Sequence, residues 1–274
     1  MMETWQHFYD WMDPVALAIG PLTLRWYGLM YVTALVVGFF AGRWLVTKDR
    51  YPLSKEQYDL AFIWVEVGVI LGARLGYVLF YDERALWYLG HPWEIFNPFQ
   101  GGHFVGISGL SYHGAIVGFL VASWLFTRRH RIRFWLFMDL AVLASAAGYG
   151  FGRIGNFLNE RLIGRETDVP WGVFNDGVLR HPATLYEALL EGFAVFILLF
   201  LFRRFKTFDG QLAALYGMLY SAARFTCEFW RRPDPQLGFL LFDWVTMGQI
   251  LSFVLFFVSL GFYIWLRGRP RLER

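Results

Sequence analysis

Apolar residues in this chain run in long blocks rather than at the alternating or one-sided spacing of a water-facing strand or helix. Seven stretches approach the roughly 20 mostly apolar residues that a helix needs to cross a hydrocarbon core. They are residues 24–45, 58–80, 104–126, 134–152, 182–202, 211–229 and 239–266. The third is irregular, because Gly106 to Gly109 is glycine-rich and predicts a half-helix or re-entrant turn ahead of a shorter span. The pattern predicts an all-α polytopic membrane protein in which residues 1–274 form a single integral-membrane domain.

The polar positions between the blocks give an orientation. Basic residues cluster after the first span (Arg43, Lys48, Arg50, Lys55), the third (Arg128, Arg129, Arg131, Arg133), the fifth (Arg203, Arg204, Lys206) and the seventh (Arg267, Arg269, Arg271, Arg274). Fifteen of the 25 basic residues therefore fall in every second loop, and an excess of Lys and Arg marks the cytoplasmic side. That alternation predicts seven spans, an outer N-terminus and a cytoplasmic C-terminus. The opposite side receives three longer loops, residues 81–103, 156–181 and 230–238, rich in Trp, Tyr, Pro and Gly. Function is expected on that outer face, since ordered loops at the interface carry most binding groups.

Composition agrees with the blocks. Of 274 residues 57% are hydrophobic, 20% aromatic and 17% charged, against roughly 25% charged in a soluble domain. The net charge of +3 sits in loop clusters, which specifies topology rather than a nucleic-acid surface. Cys227 is the single cysteine, so no intrachain disulfide forms. The first twenty residues hold Glu3, Asp10 and Asp13 and show no basic region followed by a compact apolar core. The first spans are thus expected to act as their own insertion signal.

Eight charged groups remain in or at the ends of the spans: Glu66, Arg74, Asp139, Arg153, Glu187, Glu191, Arg224 and Glu228. Each costs about 2.5 to 3.5 kcal/mol at mid-membrane, so each should face the bundle interior with a partner or a ligand. Arg153 and Asn156 stand three apart among glycines, and Arg224 lies between Tyr220 and Glu228 on one helical face. A guanidinium oriented by a carboxylate suits a phosphate, because its planar fork makes paired charge-assisted hydrogen bonds. Interhelical ion pairing accounts for the same residues, and an anion transporter or channel lined by Arg74, Arg153 and Arg224 is a further possibility.

His113, in Ser111-Tyr112-His113-Gly114, lies at the outer end of an apolar run, where an imidazole can serve as a general base near neutral pH. His91 and His103 are not spaced for a metal cage, and His181 before Pro182 reads as a helix start. Gly106-Ile107-Ser108-Gly109 has the look of an intramembrane serine protease, although a glycine-rich turn explains it in a chain with 28 glycines.

Six blocks in order resemble the bacterial prolipoprotein diacylglyceryl transferases. They are Arg25-Trp26-Tyr27-Gly28-Leu29-Met30, then Gly72-Ala73-Arg74-Leu75-Gly76-Tyr77, and His113-Gly114. Next come Gly152-Arg153-Ile154-Gly155-Asn156-Phe157-Leu158-Asn159, then His181-Pro182 with Leu185-Tyr186-Glu187, and last Arg224-Phe225 with Glu228-Phe229 and Arg231. The resemblance implies a seven-span enzyme of the bacterial inner membrane that moves the diacylglyceryl group of phosphatidylglycerol to a lipobox cysteine of a prolipoprotein. Its partners would be that lipid, the prolipoprotein signal peptide and the surrounding membrane lipid, with no metal or soluble cofactor. By motif, Tyr27, His113, Arg153, Asn156, Gly164 and Arg224 fall on the family's functional positions, with Tyr220 and Glu228 in support and Arg74 in a matched block. Two positions depart from the family pattern: Arg161 stands where a glutamate is usual, with Glu160 one residue earlier, and Thr184 replaces a frequent glutamine.

The chemistry implied is attack of a thiolate on a glyceryl carbon with a phosphate leaving. A free cysteine is only a few per cent thiolate near pH 7, so a base or a positive field must raise that fraction. His113 is expected to take or orient the thiol proton, Arg153 and Arg224 to hold the phosphate, and Tyr27 and Asn156 to add hydrogen bonds.

Overall fold

A computed structural model describes every residue except 1, 21, 101, 105, 107, 108, 160–163, 234, 235 and 270–274. Ser108, Glu160 and Arg161 thus lie outside the described residues. Seven helices of 17 residues or more appear among the rest. They are α1 Trp26–Lys48, α2 Lys55–Phe80, α3 Tyr112–Arg129, α4 Phe134–Leu158, α5 Ala183–Phe205, α6 Gln211–Cys227 and α7 Met247–Arg267. Five of them, α1, α2, α4, α5 and α7, are long and apolar enough to cross a membrane, so the chain is a multi-pass membrane protein. Basic residues close the last turn of α1 (Lys48), α3 (Arg128, Arg129) and α7 (Arg267), and Arg203 and Arg204 end α5.

The ends of these helices correct the sequence reading. Residues 104–111 of the third stretch are not helical where described: Gly106 and Gly109 adopt φ of 73° and 70°, and α3 begins only after Ser111, whose hydroxyl accepts the Gly114 N–H at 3.2 Å. The seventh stretch loses its first eight residues. Phe242 and Asp243 turn the backbone at φ of 52° and 56°, and Thr246 with Gln249 forms a reciprocal cap that starts α7. The fourth stretch gains six residues, because α4 continues to Leu158 and places Asn156 on a helix rather than in the outer loop. Leu24 and Arg25 belong to a strand, not to the first helix. Hydrophobicity marks residues that leave water, but local caps and turns decide where a helix stops.

Among the described residues three two-stranded hairpins add to the helices: β1 Val15–Ile19 with β2 Leu22–Arg25, β3 Phe99–Gln100 with β4 His103–Phe104, and β5 Val173–Asn175 with β6 Val178–Arg180. The last turns through Asp176 and Gly177, at φ of 50° and 73°, the pair of left-handed residues that a tight hairpin demands.

The chain forms two compact units. One is Leu45–Phe137; the other joins Met1–Trp44 to Met138–Arg274. In the first, α2 and α3 pack antiparallel along a glycine seam. A Cβ on Gly72 would stand 2.4 Å from Gly114 O, and one on Gly118 would stand 2.0 Å from Gly68 O. Small residues four apart let two backbones approach in this way, which suits helix pairing in lipid. Gly72→Leu is therefore expected to lower stability by about 1 to 3 kcal/mol or more through overpacking. Thermal unfolding in detergent measures it, with Gly261→Ala, whose Cβ meets nothing within 4 Å, holding at the parent value.

In the larger unit α4 is the central helix: 67% of its apolar window is buried, against 22% for α1 and α7 and 33% for α5. Its Gly148 and Gly155 lie against Ala34 and Tyr27 of α1, and Gly150 against Phe193 of α5. α6 packs on α7, where Gln211 Nε2 donates to Tyr263 Oη at 3.1 Å. One end of α6 is held by Asp139, fully buried. Its carboxylate accepts from Gly210 N at 2.8 Å and Ala213 N at 3.0 Å, and pairs with Lys206 Nζ at 2.8 Å. Asp139→Ala leaves a half-sheltered ammonium and two helix N–H groups without that acceptor. Breaking a buried pair typically costs about 3 to 5 kcal/mol, which a drop in unfolding temperature will register.

Candidate active site

Three helices of the larger unit contribute the charges that the sequence places inside spans, and they meet. Arg153 and Tyr149 stand one turn apart on α4, Glu187 and Glu191 on α5, and Tyr220 and Arg224 on α6, with Glu228 just beyond the helix. The segment Ala188–Ala194 of α5 is a widened π-helical turn, a local form frequent at functional sites. Glu187 and Glu191 both have no solvent exposure, and Glu228 has 4%.

The pairing is dense. Arg224 Nη1 donates to Glu187 Oε1 at 2.7 Å and to Glu191 Oε1 at 3.2 Å, while Nη2 donates to Glu228. Arg153 pairs with Glu187 Oε2 at 3.1 Å and with Glu191 Oε2 at 3.6 Å. Its Nε and Nη2 also donate to Tyr149 Oη at 2.9 and 2.6 Å. That hydroxyl in turn donates to Glu191 Oε2 at 2.5 Å and lies 3.4 Å from Tyr220 Oη. Arg231 approaches Glu187 at 3.6 Å and Glu228 at 3.9 Å. Three guanidinium and three carboxylate groups thus balance in formal charge, and the carboxylates hold the forks in fixed orientations. The side chains of Arg153 and Arg224 keep 19% and 14% exposure.

Segments at and beyond the helix ends brace this cluster. Thr246 Oγ1 donates to Glu228 Oε2 at 2.6 Å, and a Cβ on Gly248 would press on the same carboxylate at 2.5 Å. Gly164, buried, bridges to Arg231, and a side chain there would meet His181 O at 2.3 Å and Trp230 O at 2.9 Å. Arg165 donates to Arg231 O at 2.8 Å and Glu228 O at 2.9 Å. His181 Nδ1 lies 3.2 Å from Tyr186 Oη, and burial pushes its imidazole below the ordinary value against the opposing charge of Asp168.

The other expected residues have contacts of their own. The Tyr27 N–H donates to Asn159 Oδ1 at 2.7 Å, which ties the start of α1 to the end of α4 and leaves the Tyr27 ring 44% exposed. Asn156 is half-buried one turn after Arg153. Arg74 and His113 belong to the smaller unit. Arg74 donates to Ile95 O at 2.5 Å and Gly109 O at 3.2 Å, so this guanidinium ties two loop carbonyls. His113 is exposed in the first turn of α3.

Sequence reasoning placed Arg153, Tyr220, Arg224 and Glu228 among the site residues but gave no site role to Tyr149 and Arg165, nor to Glu187 and Glu191, which it named only among the span charges that need a partner or a ligand. A signal existed for two of them, since Glu187 and Glu191 are span carboxylates four apart that need partners in lipid. Tyr149 is one turn before Arg153, and only the packing shows that its hydroxyl links Arg153 to Glu191.

The profile of the family described as prolipoprotein diacylglyceryl transferase matches residues 14–265. The chain belongs to this family. Among its relatives, the phosphatidylglycerol–prolipoprotein diacylglyceryl transferase of Wolinella succinogenes is 54% identical over 267 residues, 97% of this chain and 98% of its own length. The protein of that name from Campylobacter lari is 53% identical over 267 residues, again 97% and 98% of the two chains. The one from Aliarcobacter butzleri is 52% identical over 263 residues, 96% and 97%. The resemblance read from six short blocks is therefore a relationship along nearly the whole chain, and the clustered arginines and carboxylates are those of a transferase family member.

Proposed function

We propose that this chain transfers the diacylglyceryl group of phosphatidylglycerol to the lipobox cysteine of a prolipoprotein, as a seven-span protein of the bacterial inner membrane. The reading rests on relatives of that name that are more than half identical over almost all of both chains. The alternation of basic helix ends supports an outer N-terminus and a cytoplasmic C-terminus. The whole chain, both compact units together, is taken as one transferase.

In the reaction the thiol loses its proton and the sulfur attacks the glyceryl carbon bonded to the phosphate oxygen. A C–S bond forms, the C–O bond breaks, and glycerol phosphate leaves with the electron pair. His113 is assigned the thiol proton. Arg153 and Arg224, oriented by Glu187, Glu191 and Glu228, are assigned the phosphate, whose charge grows as the bond breaks. Asn156, Tyr220 and the Tyr27 hydroxyl supply further hydrogen bonds, Gly164 keeps the Arg231 segment in place, and Arg74 orders the loops before α3. Donors aimed at developing charge in a water-poor site are worth far more than in water.

The test is mass gain on the cysteine of a lipobox peptide incubated with the purified protein and phosphatidylglycerol vesicles. A diacylglyceryl increment is expected there and none with phosphatidylcholine vesicles; a folded parent that adds no mass overturns the reading. Ser108→Ala is expected to transfer at a rate within about twofold of the parent, since no step of this reaction uses that hydroxyl as nucleophile. Abolished turnover in a folded Ser108→Ala protein would point to the protease reading instead.

A further inference from the structure

Arg153 and Arg224 are held in different ways. Arg224 hydrogen-bonds directly to Glu187, Glu191 and Glu228. Among the described residues the Arg153 guanidinium hydrogen-bonds to Tyr149 alone, with Nε at 2.9 Å and Nη2 at 2.6 Å converging on one hydroxyl oxygen. The carboxylates nearby attract it without fixing it. Glu191 Oε2 is 3.6 Å from Nη2, longer than the roughly 2.7–3.2 Å of an N–H···O hydrogen bond. Glu187 Oε2 stands 3.1 Å from Nη1, yet this buried oxygen has no hydrogen-bond partner among the described residues. The contact is therefore one of charge and not of alignment.

Packing sets the Tyr149 hydroxyl in place. α4 and α5 approach closely at Gly150 and Gly192, since a Cβ on Gly192 would stand 2.7 Å from Gly150 Cα and 3.4 Å from the Tyr149 ring. Glu191, next to that glycine in the widened turn of α5, accepts from Tyr149 Oη at 2.5 Å. From α6, Tyr220 meets the Tyr149 ring edge-on, with centroids 5.7 Å apart at 79°, while the two hydroxyl oxygens keep a longer 3.4 Å contact. The Tyr149 hydroxyl thus commits its proton to Glu191 and its lone pairs to Arg153. It carries the position of a buried carboxylate to a guanidinium that this carboxylate does not itself hydrogen-bond. A neutral oxygen on that edge also fixes the fork without adding a negative charge that would repel an incoming phosphate.

We propose that Tyr149 is a positioning residue of the transfer reaction, whose hydroxyl sets the orientation in which the Arg153 guanidinium meets the phosphate. The inference rests on the transferase reading and on the assignment of Arg153 to the phosphate. Tyr149 acts through Arg153 and touches no substrate. Released from that oxygen, Arg153 keeps its charge and its acidic neighbours but turns about its side-chain bonds, and a misplacement of about 1 Å costs up to about 100-fold in rate. The lipid half of the reaction therefore depends on Tyr149, and the peptide half does not.

Tyr149→Phe in the full-length protein tests it, because the substitution removes the oxygen and keeps the ring against Tyr220. Rates on the lipobox peptide are read in vesicles of varied phosphatidylglycerol content, per mole of protein that retains its thermal unfolding transition. The value of kcat/KM for phosphatidylglycerol is expected to fall about 10- to 100-fold, with KM for the peptide within about twofold of the parent. Arg153→Lys supplies a second arm, since an ammonium has no planar fork for the hydroxyl to align. Adding Tyr149→Phe to Arg153→Lys should slow transfer by less than about threefold, whereas residues that act independently multiply their losses. If Tyr149→Phe does not fold, the double variant Tyr149→Phe with Glu191→Gln, which no longer buries an orphaned carboxylate, is compared with Glu191→Gln alone. A loss below about threefold in the parent background, a rise of both KM values together, or an equal loss in both backgrounds overturns the role of Tyr149. Where Arg153→Lys is too slow to time, the split between lipid and peptide parameters decides alone. Mass gain by the parent separates the two readings: transfer that Tyr149→Phe does not slow sinks this role alone, and no transfer by folded parent sinks the reaction and the role with it.

Discussion

Arg224→Ala is expected to lower diacylglyceryl transfer by about 100- to 1,000-fold, the usual cost of losing one donor that stabilises developing charge. Arg224 touches Glu187, Glu191 and Glu228 at once, so the substitution also leaves buried carboxylates short of a partner, at about 3 to 5 kcal/mol. Loss of activity could then reflect loss of fold, and three further variants separate the two. Arg224→Lys keeps a positive charge but not the planar fork, and is expected to fold while transferring at least tenfold slower, because a point charge cannot make the paired hydrogen bonds. Glu187→Gln removes one carboxylate that the cluster buries. In the double variant Arg224→Ala with Glu187→Gln, stability should partly recover, since one orphaned charge is gone, while transfer stays low. Recovery of transfer along with stability would show that Arg224 only braces the helices. Initial rates on the lipobox peptide, read beside thermal unfolding in detergent, decide between these outcomes.

His113→Gln should reduce transfer by about 100- to 10,000-fold at neutral pH, the range assigned to a positioned acid–base group. The exposed position of His113 in the first turn of α3 makes fold loss a small concern, because the side chain is not part of the glycine seam. The informative measurement is the pH profile. A cysteine thiol ionises unaided near pH 8.5, so a variant without its base regains substrate thiolate as pH rises, and the ratio of parent to variant rates should shrink steadily between pH 6.5 and about 9. A ratio that stays constant over that range would mean that His113 positions the peptide and moves no proton. Glutamine is chosen because it can still donate and accept hydrogen bonds, which keeps the positioning role while removing the titration.

Much of this was legible in order of residues alone. Block hydrophobicity, the alternating basic clusters and the stranded charges of Arg153, Arg224 and Glu228 need no neighbours to be read, because lipid imposes its cost on each residue separately. Six short motifs sufficed to name the family, and the match over residues 14–265 bears that out. Helix ends were less legible. The 239–246 segment is as apolar as a span, yet Thr246 and Gln249 cap a helix that starts after it, a competition between local hydrogen bonds that hydropathy does not register. The same holds for α4, where nothing in the glycine-rich stretch from Gly152 to Asn156 announces that the helix runs on to Leu158.

What the sequence by itself determined is therefore the solvent of this protein, its family and the list of charges that need partners. Tertiary structure decided which partners they have. Arg153 and Arg224 are 71 positions apart and share Glu187 and Glu191 only because α4, α5 and α6 pack together. Tyr149 joins that network through a hydroxyl whose direction depends on packing, and Arg74, equal to the others in the sequence, spends its donors on the carbonyls of Ile95 and Gly109. The physical reason is range: burial in lipid is a property of each residue and its near neighbours in the chain, whereas a hydrogen bond demands two atoms within about 3 Å, a condition that only the folded chain meets.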